Sequence, residues 1–113
     1  MSDLRPPRRA RTAEEYIDWV KQARFEAREL RACFEYELDD DAELVARRFP
    51  FVPELEQAVE ALYQAMAEGR YQFATGELPF MAIVRRHGAS IPFADLLERI
   101  NETHMHGLDV EEP

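Results

Sequence analysis

The feature that most constrains the fold is an apolar seam between Thr12 and Asp41, a stretch that contains no glycine or proline. Its apolar residues recur at alternating spacings of four and three, which places them on one face of an α-helix. They are Tyr16, Val20, Ala23, Ala27, Leu30 and Phe34. A helix over 13–38 would be about 39 Å long at the α-helical rise. That is long for a chain of 113 residues.

Both ends of this first helix carry sequence signals. Thr12 and Glu15 form a capping-box pair, in which a hydroxyl and a carboxylate accept hydrogen bonds from free backbone N–H groups. Three consecutive aspartates, at 39–41, follow the seam. The helix dipole favours carboxylates at an N-terminus and not at a C-terminus. We therefore predict that the first helix ends near Leu38 and that one aspartate caps a short second helix, which ends near Arg48.

Proline and glycine positions delimit the later helices. A third helix is predicted from Pro53, which fits the first helical position, to a left-handed Gly69. Residues 70–78 are predicted to form a loop that packs its two aromatic side chains on the core. Two short helices follow, each opened by a Pro-Phe pair, and these are predicted to end at Gly88 and Gly107.

Together these elements predict an all-α fold, a small domain of four to five helices with a long N-terminal helix and short C-terminal helices. The first and third helices are expected to pack antiparallel. The predicted organisation is a disordered Arg/Pro-rich arm at 1–11, a single helical domain at 12–106 and an acidic C-terminal tail at 107–113. Beyond the first helix, the expected core comprises Leu55, Val59, Leu62, Met66, Phe80, Ile83, Val84, Phe93, Leu96, Leu97 and Ile100.

The net charge of −9 is unevenly distributed. The first eleven residues hold four arginines and one aspartate, which leaves ten basic and 22 acidic residues in the rest of the chain. Because an acidic body repels phosphate, the composition disfavours nucleic acid and anionic membranes as partners. The longest apolar run, at 78–84, contains a proline and is far too short to span a bilayer.

Cysteine and arginine usage indicate where the protein works. Cys33 is the only cysteine, which excludes an internal disulfide and fits a reducing cytoplasm. No apolar stretch follows the N-terminal arginines, so no secretory signal is expected. The basic residues are thirteen arginines and one lysine, a bias that we interpret as bacterial codon usage. A bacterial, cytoplasmic protein is therefore expected.

The metal-ligating candidates are His87, Glu102, His104 and His106. Helical zinc and iron sites take ligands three or four residues apart, on one face. His104 and His106 are two residues apart, and so about 200° apart around a helix. This spacing favours a solvated helix end, where histidine interacts with the negative pole of the dipole, over a metal site.

Motifs for catalysis or cofactor binding are missing from the sequence. The chain has no Gly-x-Ser-x-Gly elbow, no phosphate-binding glycine loop and no His-Glu-x-x-His pair. Cys33 has Glu29 and Glu37 one turn away on either side, and carboxylates do not stabilise a reactive thiolate. The residues therefore favour a non-catalytic protein without a cofactor.

The segment 82–100, AIVRRHGASIPFADLLERI, predicts two helices around a glycine turn. It resembles the helix-turn-helix of bacterial regulators and transposases, and that resemblance implies a regulator that binds nucleic acid. Its second helix presents Asp95, Glu98 and Glu102 against a lone Arg99, whereas recognition helices present basic and amide side chains. An ordinary helical corner is the favoured interpretation.

The N-terminal arm is one candidate for protein binding. Arg5, Arg8, Arg9 and Arg11 lie around two prolines, which keep the segment extended for contact with an acidic surface. The same composition is typical of a solubilising tail that binds nothing. A third interpretation is that the arm folds back on the acidic body of its own chain.

The first helix is the other candidate. In a parallel homodimer, Glu26 of one copy would meet Arg31 of the other, with Arg24 and Trp19 also flanking the seam. A helix packed in the core of its own chain shows the same seam. Exposure of the aromatic residues off the seam would indicate an interface, and these are Trp19, Phe25 and Tyr36.

The sequence therefore predicts a non-catalytic accessory or adaptor protein that binds another protein or a second copy of itself. One alternative is a nucleic-acid-binding regulator built on 82–100 and the basic arm. A second alternative is a metal-binding protein that uses the three histidines and Glu102.

Overall fold

A computed structural model describes residues 8–110 and shows an all-α fold with a long N-terminal helix, as predicted. The five helices are α1 (Ala13–Glu37), α2 (Ala42–Arg48), α3 (Phe51–Ala67), α4 (Phe80–His87) and α5 (Ala94–His106). A 3-10 turn, Gly88–Ser90, lies between the last two. Within 8–110 the chain forms no β-strand.

Helix α1 begins at the predicted cap. The Thr12 hydroxyl accepts a hydrogen bond from the Glu15 backbone N–H at 3.0 Å. The Glu15 carboxylate reaches one residue further back than the usual capping box and accepts from the Arg11 N–H at 2.8 Å. At the other end the helix stops at Glu37, with Leu38 as its C-terminal cap, which confirms the predicted boundary.

The aspartate run forms the turn between α1 and α2. Asp39 and Asp40 adopt left-handed backbone angles, with φ of 57° and 60°. Short polar side chains tolerate this conformation better than other non-glycine residues do. Asp41 then caps α2, because its carboxylate accepts from the Leu44 N–H at 3.0 Å. The predicted capping role therefore belongs to the last of the three aspartates.

Helix α3 begins two residues earlier than predicted. Its first residue is Phe51, with Pro50 as the cap, so the prediction that Pro53 starts the helix was wrong. Pro53 is tolerated because the first four N–H groups of a helix have no partner within it. The far end was predicted correctly, since Gly69 follows α3 with a φ of +72°.

The core lies between α1 and α3, which run antiparallel, with α4 and α5 packed against them. All of the α1 seam is buried except Phe34, which is half-buried against Phe49 and Phe51. The residues predicted to be buried in α3, α4 and α5 are buried as well, apart from the half-buried Met66 and Ile83. The amphipathic pattern therefore located the core correctly.

Hydrogen bonds to α5 fix the positions of segments that lie outside the helices. Asn101, Thr103 and His104 are the buried polar residues of the described chain. Asn101 accepts from the Leu78 N–H at 2.8 Å, and Thr103 accepts from the Ala10 N–H at 2.9 Å. The His104 backbone carbonyl accepts from the Ala74 N–H at 3.2 Å. One helix thus positions both the N-terminal segment and the loop that follows α3.

We expect Leu55→Ala to lower the free energy of unfolding by about 2–5 kcal/mol, because it leaves a cavity in the core. Leu55 is fully buried between α1 and α3. Urea denaturation of the variant measures the loss. The matched control is Val110→Ala, at a residue that is 63% exposed, and it should change stability by less than about 0.5 kcal/mol. Equal effects of the two substitutions would contradict this assignment of the core.

Candidate functional site

The described part of the N-terminal arm folds back on the body of the chain. Arg5 lies outside the described residues, whereas Arg8 forms an ion pair with Glu15 at 3.1 Å. The Arg9 guanidinium donates to the His106 and Gly107 carbonyls, at 2.9 and 3.3 Å, and lies 3.6 Å from Asp109. A cation at this position satisfies free carbonyls and the negative pole at the end of α5.

Arg11 contributes to the arm through its backbone. Its N–H donates to Glu15, and this hydrogen bond is the main reason why the pKa of the Glu15 carboxyl lies below its ordinary value. The Arg11 side chain is exposed.

Ala10 fastens the arm to the C-terminal segment. It is fully buried, and its carbonyl accepts from the Asp109 N–H at 2.7 Å. Its own N–H donates to the Thr103 hydroxyl, which in turn donates to the Arg99 carbonyl at 2.9 Å. Backbone and side-chain hydrogen bonds of residues 8–11 therefore hold this segment against α1, α5 and the C-terminal segment.

Trp19 lies between two guanidinium groups. Arg8 lies 4.9 Å from the centroid of the indole ring and Arg99 lies 5.1 Å from it. Both contacts have the geometry of cation–π interactions. Trp19 is half-buried as a result. It serves as an attachment point for the arm and for α5, and it does not provide the exposed aromatic surface that its position off the seam suggested.

The arginines beside the α1 seam pair with α3 of the same chain. Arg24 donates to Glu60 at 2.7 Å, and this hydrogen bond is the main cause of the lowered pKa of the Glu60 carboxyl. Arg31 donates to Glu56 at 2.6 Å. The seam between these pairs is buried against α3, so it is not available for the parallel homodimer. Glu26 accepts from Gln22 at 3.3 Å on the same helix.

The four metal-ligating candidates do not converge on one point, and only His106 and Glu102 are in contact. The His87 ring stacks on Phe51, with ring centroids 4.3 Å apart and planes at 10°. His106 lies 3.3 Å from Glu102, at the end of α5. His104 faces the interior and contacts Tyr71. Over residues 8–110, no three histidine, cysteine, aspartate or glutamate side chains are placed to hold a metal ion together.

The segment that resembles a helix-turn-helix forms α4, the 3-10 turn and α5. Arg85 forms an ion pair with Glu77, and together with Arg86 it lines an open groove of about 430 Å³ against Phe51. Arg99 lies elsewhere, over Trp19. The arginines of this segment therefore lie in two separate places, and that separation weakens the nucleic-acid alternative.

The sequence did not indicate a buried chain of hydrogen bonds between two tyrosines and a histidine. The Tyr16 and Tyr71 hydroxyl oxygens are 2.7 Å apart, and the Tyr71 hydroxyl lies 2.7 Å from His104 Nδ1. Burial raises the pKa of Tyr71 to about 12 and raises the pKa of Tyr16 further. Burial also lowers the pKa of His104. All three groups are therefore uncharged at neutral pH.

The outer face of α1 exposes large aromatic side chains. Phe25 is 56% exposed and Tyr36 is 80% exposed. Phe25, Ala32 and Tyr36 lie within about 40° of one another around the helix. We call these three residues the outer stripe. Ala32 and the adjacent Cys33 are also exposed. Two of the three off-seam aromatics are thus accessible, and Trp19 is the exception.

A comparison with known proteins found no matching family model, no similar curated sequence and no similar solved structure. Among the described helices, none combines the length and the apolar character that crossing a bilayer requires.

Thr103→Val should destabilise the protein by about 1–3 kcal/mol, because the buried Ala10 N–H loses its acceptor while the side-chain volume is kept. The free energy of unfolding in urea measures this effect. Thr75→Val makes the same chemical change at an exposed residue and should be neutral within about 0.5 kcal/mol. If Thr103→Val were as neutral as its control, the arm would not depend on the Thr103 hydroxyl.

Stability should decrease as the pH falls from about 7.5 to about 5.5, because His104 is buried with a pKa below its ordinary value. The unfolded chain takes up a proton as the pH falls through about 6.5, whereas the folded chain stays neutral until its lower pKa is reached. His104→Gln should flatten this dependence and His106→Gln should keep it. Thermal unfolding across this range is the measurement, and an equally steep dependence in His104→Gln would refute the assignment.

Proposed function

We propose that this chain is a non-catalytic accessory protein that binds another protein through the outer stripe of α1. The observation that carries this proposal is the exposure of Phe25 and Tyr36 on one face of a helix whose opposite face is packed in the core. When a partner covers exposed aromatic side chains, their apolar surface is removed from water, and this favours binding.

The arrangement of the outer stripe suits a protein partner. Phe25 and Tyr36 are eleven residues apart, or about 16 Å along the helix axis. Aromatic side chains are enriched at the centres of interfaces, where they act as anchors. The small Ala32 lies between the two rings and lets a partner approach the helix closely. Glu29 and Arg28, both exposed, supply a polar rim on either side.

The contacts of the other candidates support the same assignment. Arg24 and Arg31 hold α1 against α3, and His104 holds the loop after α3. These side chains already have partners within the chain, whereas the side chains of the outer stripe are exposed and can contact another protein. We also place the protein in a bacterial cytoplasm, since its one cysteine is an exposed free thiol, which persists in a reducing compartment.

Phe25→Ala combined with Tyr36→Ala should abolish partner binding without unfolding the chain, because both side chains are exposed and alanine favours helix. Tagged wild-type protein and the double variant are used for affinity capture from the source cells, and bound proteins are quantified. Light scattering of the purified proteins tests whether the partner is a second copy. We expect the double variant to lose the bound partner by at least about tenfold.

The matched control is Glu43→Ala combined with Arg47→Ala, two exposed residues on α2, away from the outer stripe. It should retain the partner at the wild-type level. Identical capture and identical mass for the wild type and both double variants would show that the outer stripe binds nothing.

A further inference from the structure

A small apolar cavity lies where the start of α1, the end of α3 and the loop after α3 meet. Its volume is about 250 Å³. The side chains that matter for its chemistry are Tyr16, Ile17, Met66, Tyr71, Phe73 and Leu108. This volume is below the roughly 300–1,000 Å³ of pockets for drug-sized ligands, and it suits a smaller molecule of one or two fused rings.

The residues that line the cavity determine which ligand charge it favours. None of the eight residues that line the cavity carries a charged side chain. A charged ligand would lose its hydration there without gaining an opposite charge, which is unfavourable. The surrounding chain carries a net charge of −9, so an anion is opposed at longer range as well. These two effects favour a neutral ligand over an anion.

Three aromatic rings define the shape of the occupant. The rings of Tyr16 and Phe73 are nearly parallel, with centroids 5.9 Å apart and planes at 14°. Tyr71 meets Phe73 edge-on, with centroids 5.5 Å apart. Phe73 is still 47% exposed, so part of its ring is available to a ligand. A planar aromatic molecule can extend this cluster by stacking or by edge contacts.

The hydroxyl groups of the two tyrosines have partners within the chain. A phenolic hydroxyl has one proton and two lone pairs. Tyr71 makes two contacts through its oxygen, with Tyr16 and His104, and Tyr16 makes two, with Tyr71 and the Ile100 carbonyl at 3.4 Å. Both hydroxyls are therefore engaged within the chain, and the rings of the two tyrosines are what they contribute to the cavity.

We propose that this cavity binds a neutral, planar aromatic molecule of one or two rings, of the indole or phenol class. The aromatic cluster recognises the ring, and the uncharged lining selects against ions. This site shares no residue with the outer stripe, so the two proposals are independent of each other.

The test is a titration of the full chain, labelled with ¹⁵N, with indole, followed through the amide NMR spectrum. We expect saturable shifts around Ala13, Gly69 and Phe73, with a Kd of about 1 mM or tighter. Cyclohexanol carries a hydroxyl donor but no aromatic ring, and indole-3-acetate carries a charge. Each should bind at least about fivefold more weakly than indole.

Two matched variants separate recognition from general apolar binding. Phe73→Leu keeps an apolar side chain and removes the ring, so it should weaken indole binding by about tenfold. Phe25→Leu removes an equally exposed ring from the outer stripe and should leave the affinity unchanged within about twofold. Unchanged amide shifts far from the substitution show that each variant is folded.

Three results would overturn the proposal. One is the absence of saturable shifts in the wild type up to the solubility of indole. Another is cyclohexanol or indole-3-acetate binding as tightly as indole. The third is wild-type affinity for indole in Phe73→Leu.

Discussion

The structure depends on the hydrogen bonds that α5 offers to the parts of the chain that are not helical. A helix satisfies most of its own backbone groups, whereas a buried irregular segment must find partners elsewhere. Asn101, Thr103 and His104 provide those partners, one for the segment before α4, one for Ala10 and one for Tyr71. In the described chain no buried side-chain nitrogen or oxygen is left without a partner. A short helix thus determines where the arm and the loop after α3 lie.

This arrangement separates residues with a structural role from residues that remain accessible. Arg8 and Arg9 are basic side chains of a kind that bind partners, yet here they hold the arm to Trp19 and to the end of α5. His104 is a metal ligand by type, but it holds Tyr71, which in turn forms one wall of the apolar cavity. The aromatic side chains left exposed are Phe25 and Tyr36 on the outer stripe and Phe73 beside the cavity.

Local sequence signals predicted the helices well, because capping and periodicity involve residues only a few positions apart. Thr12, Asp41 and Gly69 each act as their local patterns indicate. The seam of α1 could not reveal its own partner, since a second copy and α3 produce the same pattern. The structure adds that Arg24 and Arg31, beside the seam, pair with α3 of the same chain. The hydrogen bonds that join Tyr71 with Tyr16 and with His104 link positions 55 and 33 residues apart, and no periodicity connects them.

Hydrogen exchange at individual backbone amides, measured by NMR on the full chain, tests most directly whether α5 holds the irregular segments. The Ala10 and Leu78 amides donate to side chains of α5 and lie outside the helices. Both should exchange as slowly as amides within α5, to within about tenfold, because they open only when α5 itself separates from the core. Exchange of these two amides at the rate of an unstructured peptide, while α5 stays protected, would contradict the account.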